Sequence, residues 1–345
     1  MKSLFLWLAV LSFTSLAQGQ TQPVWKFAVS GDSRNCGDVV MPAIAIGAAQ
    51  NAAEFYWHLG DFRAIYQFDE DIVGVPPKPM YIDDYLDGAW PDFIKRQLTP
   101  FKQPIYLVIG NHEVIPPKTR EGYLIQFADW LGQDDIRAQR LKDDPTDHSL
   151  HTYYHWIEHG VDFISMDNSD PLQFDKNQVA WLKKILTGDT ASSEVKSIVV
   201  GMHEALPGSV AHVHSMGDFP QENKSGREVY AALWEAHRSS AKPIYVLASH
   251  SHFYMDNIFD TPDWSGKVLP GWIVGTAGAV RYKLPDERKD ENHAQTNVYG
   301  YMIGTVTGNG SISFEFKKLE LSDLKQANTN DLGAVIDWCF ANNHL

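Results

Sequence analysis

Five short apolar runs along the chain stop at a small residue and give way to polar side chains that a buried strand could not accommodate. The clearest spans residues 104–113, P-I-Y-L-V-I-G-N-H-E, where the strand pattern ends at Gly110 and Asn111-His112-Glu113 follow. The same punctuation recurs four times: 27–30 before Gly31-Asp32-Ser33-Arg34, 55–59 before Gly60-Asp61, 197–200 before Gly201-Met202-His203-Glu204, and 244–248 before Ser249-His250-Ser251-His252. Strands that release polar residues in this way predict an α/β protein whose chemistry lies in loops beyond the strand ends.

Between the first two strands, residues 39–50 read as a helix with Pro42 in its first turn. A β-α-β unit normally makes a right-handed crossover with both strand ends on one edge, which brings Asp32 and Asp61 together. Two insertions follow, at about 62–103 and 114–150. The first carries a short helix over 91–98. The second carries a helix capped by Thr119, striped by Tyr123, Leu124, Phe127, Trp130 and Leu131, and ended by Gly132. Because they flank Asp61 and Asn111, these insertions are the expected substrate rim. Further on, 151–167 reads as a hairpin turning at His159-Gly160, 175–186 as a helix capped by Asp175, and 227–238 as another helix. Strands at 272–276, 299–305 and 312–317 are expected in a second sheet, with a terminal helix over 331–341.

Apolar content of 44% and 11 tryptophans provide for a large core, and the 345 residues read as a leader followed by one catalytic domain, 18–345. Lys2 and the apolar stretch 4–16 have the form of a signal peptide over 1–17, which implies export to the periplasm or beyond. The apolar run is too short to span a membrane. A formal charge of −14 with no basic cluster argues against a nucleic-acid-binding surface, so a phosphate-bearing substrate would need positive charge inside the site. Cys36 and Cys339 are the only cysteines. In an oxidising compartment they form one disulfide or remain two buried thiols.

The strand-end residues combine two carboxylates, one amide oxygen and three imidazoles: Asp32, Asp61, Asn111, His203, His250 and His252. Mixed oxygen and nitrogen donors suit Mn²⁺, Fe, Zn²⁺ or Mg²⁺. Six donors exceed one tetrahedral site, and a carboxylate shared by two ions about 3.5–4 Å apart would absorb them, an arrangement suited to displacement at phosphorus.

In this order, Gly31-Asp32, Gly60-Asp61, Gly110-Asn111-His112-Glu113, Gly201-Met202-His203 and His250-Ser251-His252 resemble the calcineurin-like metallophosphoesterases, which include the purple acid phosphatases. The resemblance implies a four-layer α/β/β/α sandwich and two divalent or trivalent ions. Asp32, Asp61 and His252 would hold the first ion, and Asp61, Asn111, His203 and His250 the second. A metal-bound hydroxide would attack a small phosphoester, monoester or diester, with His112 as the catalytic residue that stabilises the transition state or protonates the leaving oxygen. Glu113 and Glu204 would orient the ligands.

The sequence departs from that pattern at Arg34, where most of the family has a metal-binding histidine. In purple acid enzymes a tyrosine three residues after the bridging aspartate fills the gap, but here that position is Ala64, with Tyr66 out of register. A smaller departure is Ser249 in place of glycine. Arg34 is expected at the mouth of the site as a ligand for the phosphoryl group, with pairing to a carboxylate as the other reading, and His214 is a second substrate-side candidate. Two rival functions remain at this point. One is a catalytically impaired binding protein on the same fold. The other is a GDSL-type serine esterase using Gly31-Asp32-Ser33 and Asp290-x-x-His293.

Overall fold

A computed structural model describes residues 24–74, 81–169, 174–211, 214–217, 220–286, 293–328 and 332–345. The expected leader 1–17 lies outside the described residues, as does Asp290.

Among the described residues twelve strands form two mixed sheets: β1 (Trp25–Ser30), β2 (Ala53–His58), β3 (Ile105–Leu107), β4 (Tyr154–Glu158), β5 (Val161–Ser165), β6 (Ser197–Gly201), β7 (Ile244–Ala248), β8 (Tyr254–Asp256), β9 (Gly271–Val274), β10 (Ala294–Gln295), β11 (Tyr299–Val306) and β12 (Ile312–Leu319). The first sheet runs β12-β11-β1-β2-β3 and the second β10-β8-β9-β7-β6-β5-β4. The motif-bearing strands are parallel within each sheet, β1 to β2 to β3 and β6 to β7, so their ends share an edge.

Strand alternation shows which face meets what. Phe163, Val199, Tyr245 and Leu247 point into the core between the sheets, whereas Ile164, Val200 and Val246 point outward under helices Lys176–Ala191 and Pro220–Ser240. The central layer is aromatic: Phe27 and Phe55 stack at 5.4 Å and meet Phe163 edge-on, and Trp156 stacks on Tyr106 at 3.8 Å. Helix Gly37–Gln50 covers the other face of the first sheet, completing the four layers.

Several elements differ from the sequence reading. Only β9 of the three late strands joins the second sheet; β11 and β12 pair beside β1, because period-two patterning marks a strand without naming its neighbour. Helix Gly37–Gln50 starts two residues earlier than expected, placing Pro42 in its second turn. Its start carries no local cap; Asp71 supplies one, accepting from Asp38 N–H at 2.7 Å. The helix expected over 91–98 is the tail of Ile82–Phe93 continued by a π-helical turn, Ile94–Leu98. The Thr119-capped helix breaks at Phe127 into Arg120–Gln126 and Ala128–Leu131. Phe127 is fully buried against Phe62 and Phe93, so the stripe supports the loop after β2 from beneath.

Candidate metal centre

The polar residues after each strand are positioned by hydrogen bonds that continue beyond the sheets. Leu59 N–H gives to Ser30 O, Asp32 N–H to Gly60 O, and Ser33 N–H to Asp61 O, each at 2.9 Å. Asp32 and Asp61 therefore stand side by side. Gly31 N–H reaches Val274 O at the same distance, joining the two sheets at this edge. Asp32, Asp61 and His250 all have φ near +60°, a region non-glycine residues seldom enter and one that concentrates at functional sites. The glycines explain themselves here: a Cβ on Gly110 would lie 2.4 Å from Asp61 N, and Gly60, at φ 94°, would place one 2.7 Å from Gly110 N. Only bare backbone lets the β2 and β3 loops approach this closely.

One half of the expected donor set converges on His203 Nε2. Asp61 Oδ1 is 3.2 Å away, Asn111 Oδ1 3.0 Å and His250 Nδ1 3.0 Å. His203 Nδ1 lies 2.8 Å from Leu59 O and donates to it, so Nε2 is the nitrogen that faces the cluster. Asp61 Oδ1 and Asn111 Oδ1 offer only lone pairs, so a positive charge belongs among these atoms, a proton on Nε2 or a metal ion in its place, and the donor set fits a metal ion. Burial opposes a charge on His203, yet Asp61 and Asp32 outweigh it and push its pKa up to about 10, so these carboxylates draw a positive charge to Nε2, carried by a proton when no ion is bound and by a metal ion that displaces it. The carbonyl of Leu59 fixes the ring, and Glu204 lies 3.8 Å from His250 Nε2.

The other half is arranged differently. Asp32 and His252 are buried together, with Asp32 Oδ1 3.2 Å from His252 Nε2. Asp32 Oδ2 accepts from His250 N–H at 2.6 Å and from Ser249 Oγ, so the serine in place of glycine anchors the first carboxylate. Arg34 is 7% exposed, buried rather than at the mouth, with Nη2 3.1 Å from His252 Nε2 and Nε 3.5 Å from Asp61 Oδ2. His112 hydrogen-bonds Ala64 O through Nδ1 at 2.6 Å and turns Nε2 towards Asp61 Oδ2, 3.6 Å away. His214 stacks on Tyr282 at 5.0 Å, 5.3 Å from the His250 ring, so it lines the centre without joining the donor cluster.

A family model described as calcineurin-like phosphoesterase matches residues 27–254, more than half the chain. The chain belongs to the calcineurin-like phosphoesterase family. No curated protein matches it. Among solved structures it is similar to a purple acid phosphatase from yellow lupin (Lupinus luteus) seeds, at 12% identity and TM-score 0.52 over 86% of this chain and 52% of that one. This chain thus spans about half the lupin protein's length. It is also similar to PhoD, at 15% identity and TM-score 0.53 over 88% of this chain and 72% of that one. A dimetal phosphatase from Danio rerio aligns at 12% identity and TM-score 0.51, over 85% of this chain and 98% of that one. At such identities the likeness concerns the fold.

Among the described residues of this calcineurin-like phosphoesterase, Ser33 and His293 are each engaged with other partners than a serine esterase would give them. Ser33 is fully buried and hydrogen-bonds His58, itself fully buried, at 3.0 Å, while His293 pairs with Asp256 at 2.7 Å. Burial drives the His58 pKa down to about 3, leaving a neutral link rather than a base. Sequence reading missed two residues. Tyr282 stacks on His252 at 4.0 Å and lies against the Arg34 guanidinium, but no motif surrounds it. Arg63, fully buried two residues after Asp61, is ringed by Asp38, Asp69, Asp71 and Asp92 within 3.7 Å. Its signal was faint: an arginine beside a motif and scattered aspartates.

Proposed function

We propose that this protein hydrolyses small phosphoesters with a metal ion held by Asp61, Asn111, His203 and His250. The observation that supports this reading is the set of donor atoms within 3.2 Å of His203 Nε2. Family membership makes phosphoester hydrolysis the chemical class. When bound, an ion here supplies Lewis acidity to a phosphoryl oxygen and lowers the pKa of an attacking water. The residues supply the rest. His112 presents Nε2 beside Asp61 and would stabilise the transferring phosphoryl group or pass a proton to the leaving oxygen. Arg34 contributes a fixed positive charge, and His214, with Tyr66 and Tyr282, would contact the substrate. In the family's dinuclear form Asp61 would bridge to a second ion on Asp32 and His252; in this chain Arg34 stands in the way. Residues 18–345 act as one catalytic domain in this proposal, because both sheets contribute ligands.

Export is part of the same reading. Cys36 and Cys339 form a disulfide, as expected for an oxidising compartment, and among the described residues no helix is long and apolar enough to cross a membrane.

Hydrolysis of aryl phosphate monoesters and diesters with added Mn²⁺ tests the proposal. His203→Ala and Asn111→Ala should each reduce kcat/KM by at least about a hundredfold, and exhaustive chelation should abolish turnover. Full turnover in chelator-treated protein would refute it.

A further inference from the structure

The guanidinium of Arg34 lies among the groups that the family pattern reserves for the first ion. Nη2 is 3.1 Å from His252 Nε2, Nε is 3.5 Å from Asp61 Oδ2, and Nη1 donates to Tyr66 Oη at 3.2 Å. His252 Nδ1 lies 2.6 Å from Val280 O and carries the ring proton, so Nε2 has a single lone pair. That lone pair accepts from Arg34. An ion on His252 would require the same electrons.

Charge leads to the same conclusion. Asp32 and Asp61 are fully buried, and a dication at the His203 centre together with Arg34 already more than balances them. A second dication would add a large uncompensated charge a few ångströms from a guanidinium that stays protonated. Arg34 has little freedom to withdraw. It is buried, Tyr282 covers the His252 ring, and Asp61 and Tyr66 hold the guanidinium at 3.5 and 3.2 Å.

We propose that Arg34 takes the place of the first metal ion. The centre then holds one ion, at Asp61, Asn111, His203 and His250, and Asp61 links that ion to a guanidinium instead of to a second metal. Tyr66, whose ring lies 5.2 Å from His112, supports the guanidinium and thereby substitutes for the tyrosine missing at position 64. The inference rests on the hydrolytic reading above.

Equilibrium dialysis against Mn²⁺, followed by elemental analysis, decides it. One equivalent per chain is expected in the wild type, none in His203→Ala, and one still in His252→Ala, because His252 serves the arginine. Arg34→His, which restores the common Asp-x-His motif, should take up a second equivalent. The Mn²⁺ paramagnetic resonance spectrum of the wild type, which requires no variant to fold, should be that of an isolated ion. Two equivalents or a spin-coupled spectrum in the wild type would overturn the inference and leave the hydrolytic reading intact. So would a single ion that disappears in His252→Ala but survives in His203→Ala. A wild type that binds no Mn²⁺ would overturn both.

Discussion

Asp61 is held through its backbone as much as through its side chain. Its N–H, and those of Phe62 and Gly110, all give to the Glu113 carboxylate at 2.8–2.9 Å, while Asp61 Oδ1 accepts from His112 N–H at 3.0 Å. A single glutamate thus fastens the β2 loop to the β3 loop. Glu113→Ala would leave three buried donors without a partner, at about 1–3 kcal/mol each, so a fall in melting temperature together with loss of bound metal is expected. Glu113→Gln, which keeps an acceptor, should do less damage. An alanine variant with wild-type melting and metal content would remove Glu113 from this role. His112 differs in kind. Its Nδ1 is committed to Ala64 O and its Nε2 faces the centre without belonging to the donor cluster, so His112→Ala should slow turnover by about 10²–10⁴ while metal content stays unchanged. Loss of metal in that variant would mean that the ring supports a ligand. The position of Asn111 and His112 just past a strand was legible because the change from apolar to polar is local. The destination of Arg34 was not, since it depends on His252, 218 residues away.

At the scale of elements, the sequence showed where strands end far better than which strands become neighbours. The β4–β5 hairpin turns at His159-Gly160 as the pattern predicts, with positive φ at both positions. One of its strands carries His155, a buried sheet residue with carboxylate partners on both ring nitrogens. It is buried between Asp162, 2.8 Å from Nδ1, and Asp143, 2.6 Å from Nε2. Burial alone would lower its pKa, but the carboxylates push it up to about 10. Nearby, on the helix packed against this sheet, burial and then Asp162 push Asp189 up to about 9. Both groups keep protons in the folded protein that the unfolded chain releases near 6.5 and 3.8 respectively. The native state therefore binds more protons than the unfolded one between these values, and stability falls as pH rises towards 9–10. The melting temperature should decline from pH 7 to pH 10, and His155→Gln should lower it at pH 7 and flatten part of the decline. An equally steep decline in that variant would assign the effect elsewhere.

Across the whole molecule, the site depends on the last residues of the chain as well as the first. The Cys36–Cys339 disulfide ties the terminal helix Gly333–Asn342 to the loop carrying Asp32 and Arg34, closing a sequence separation of 303 residues. The cysteine count alone left this open, because a bridge requires the two ends to meet. Non-covalent contacts make the same junction. Cys36 N–H and Asn343 Nδ2 both give to Gly278 O, at 3.1 and 2.9 Å, and Arg281, beside Tyr282, donates to the carbonyls of Cys339, Phe340 and Asn343. In the loop-entropy model a closure this long contributes roughly 5 kcal/mol. For a protein of this size that corresponds to a melting temperature lower by roughly 5–10 °C in Cys339→Ala. Because the Arg281 contacts remain, the variant should still bind Mn²⁺ at the His203 centre, which is built from loops the bridge does not touch. The bridge is thus expected to govern how long the folded protein lasts, and the strand-end loops to govern what it does. A Cys339→Ala protein with unchanged melting would show that the Arg281 contacts suffice; one that melts lower and also loses its metal would show that the terminal helix sets the geometry of the centre itself.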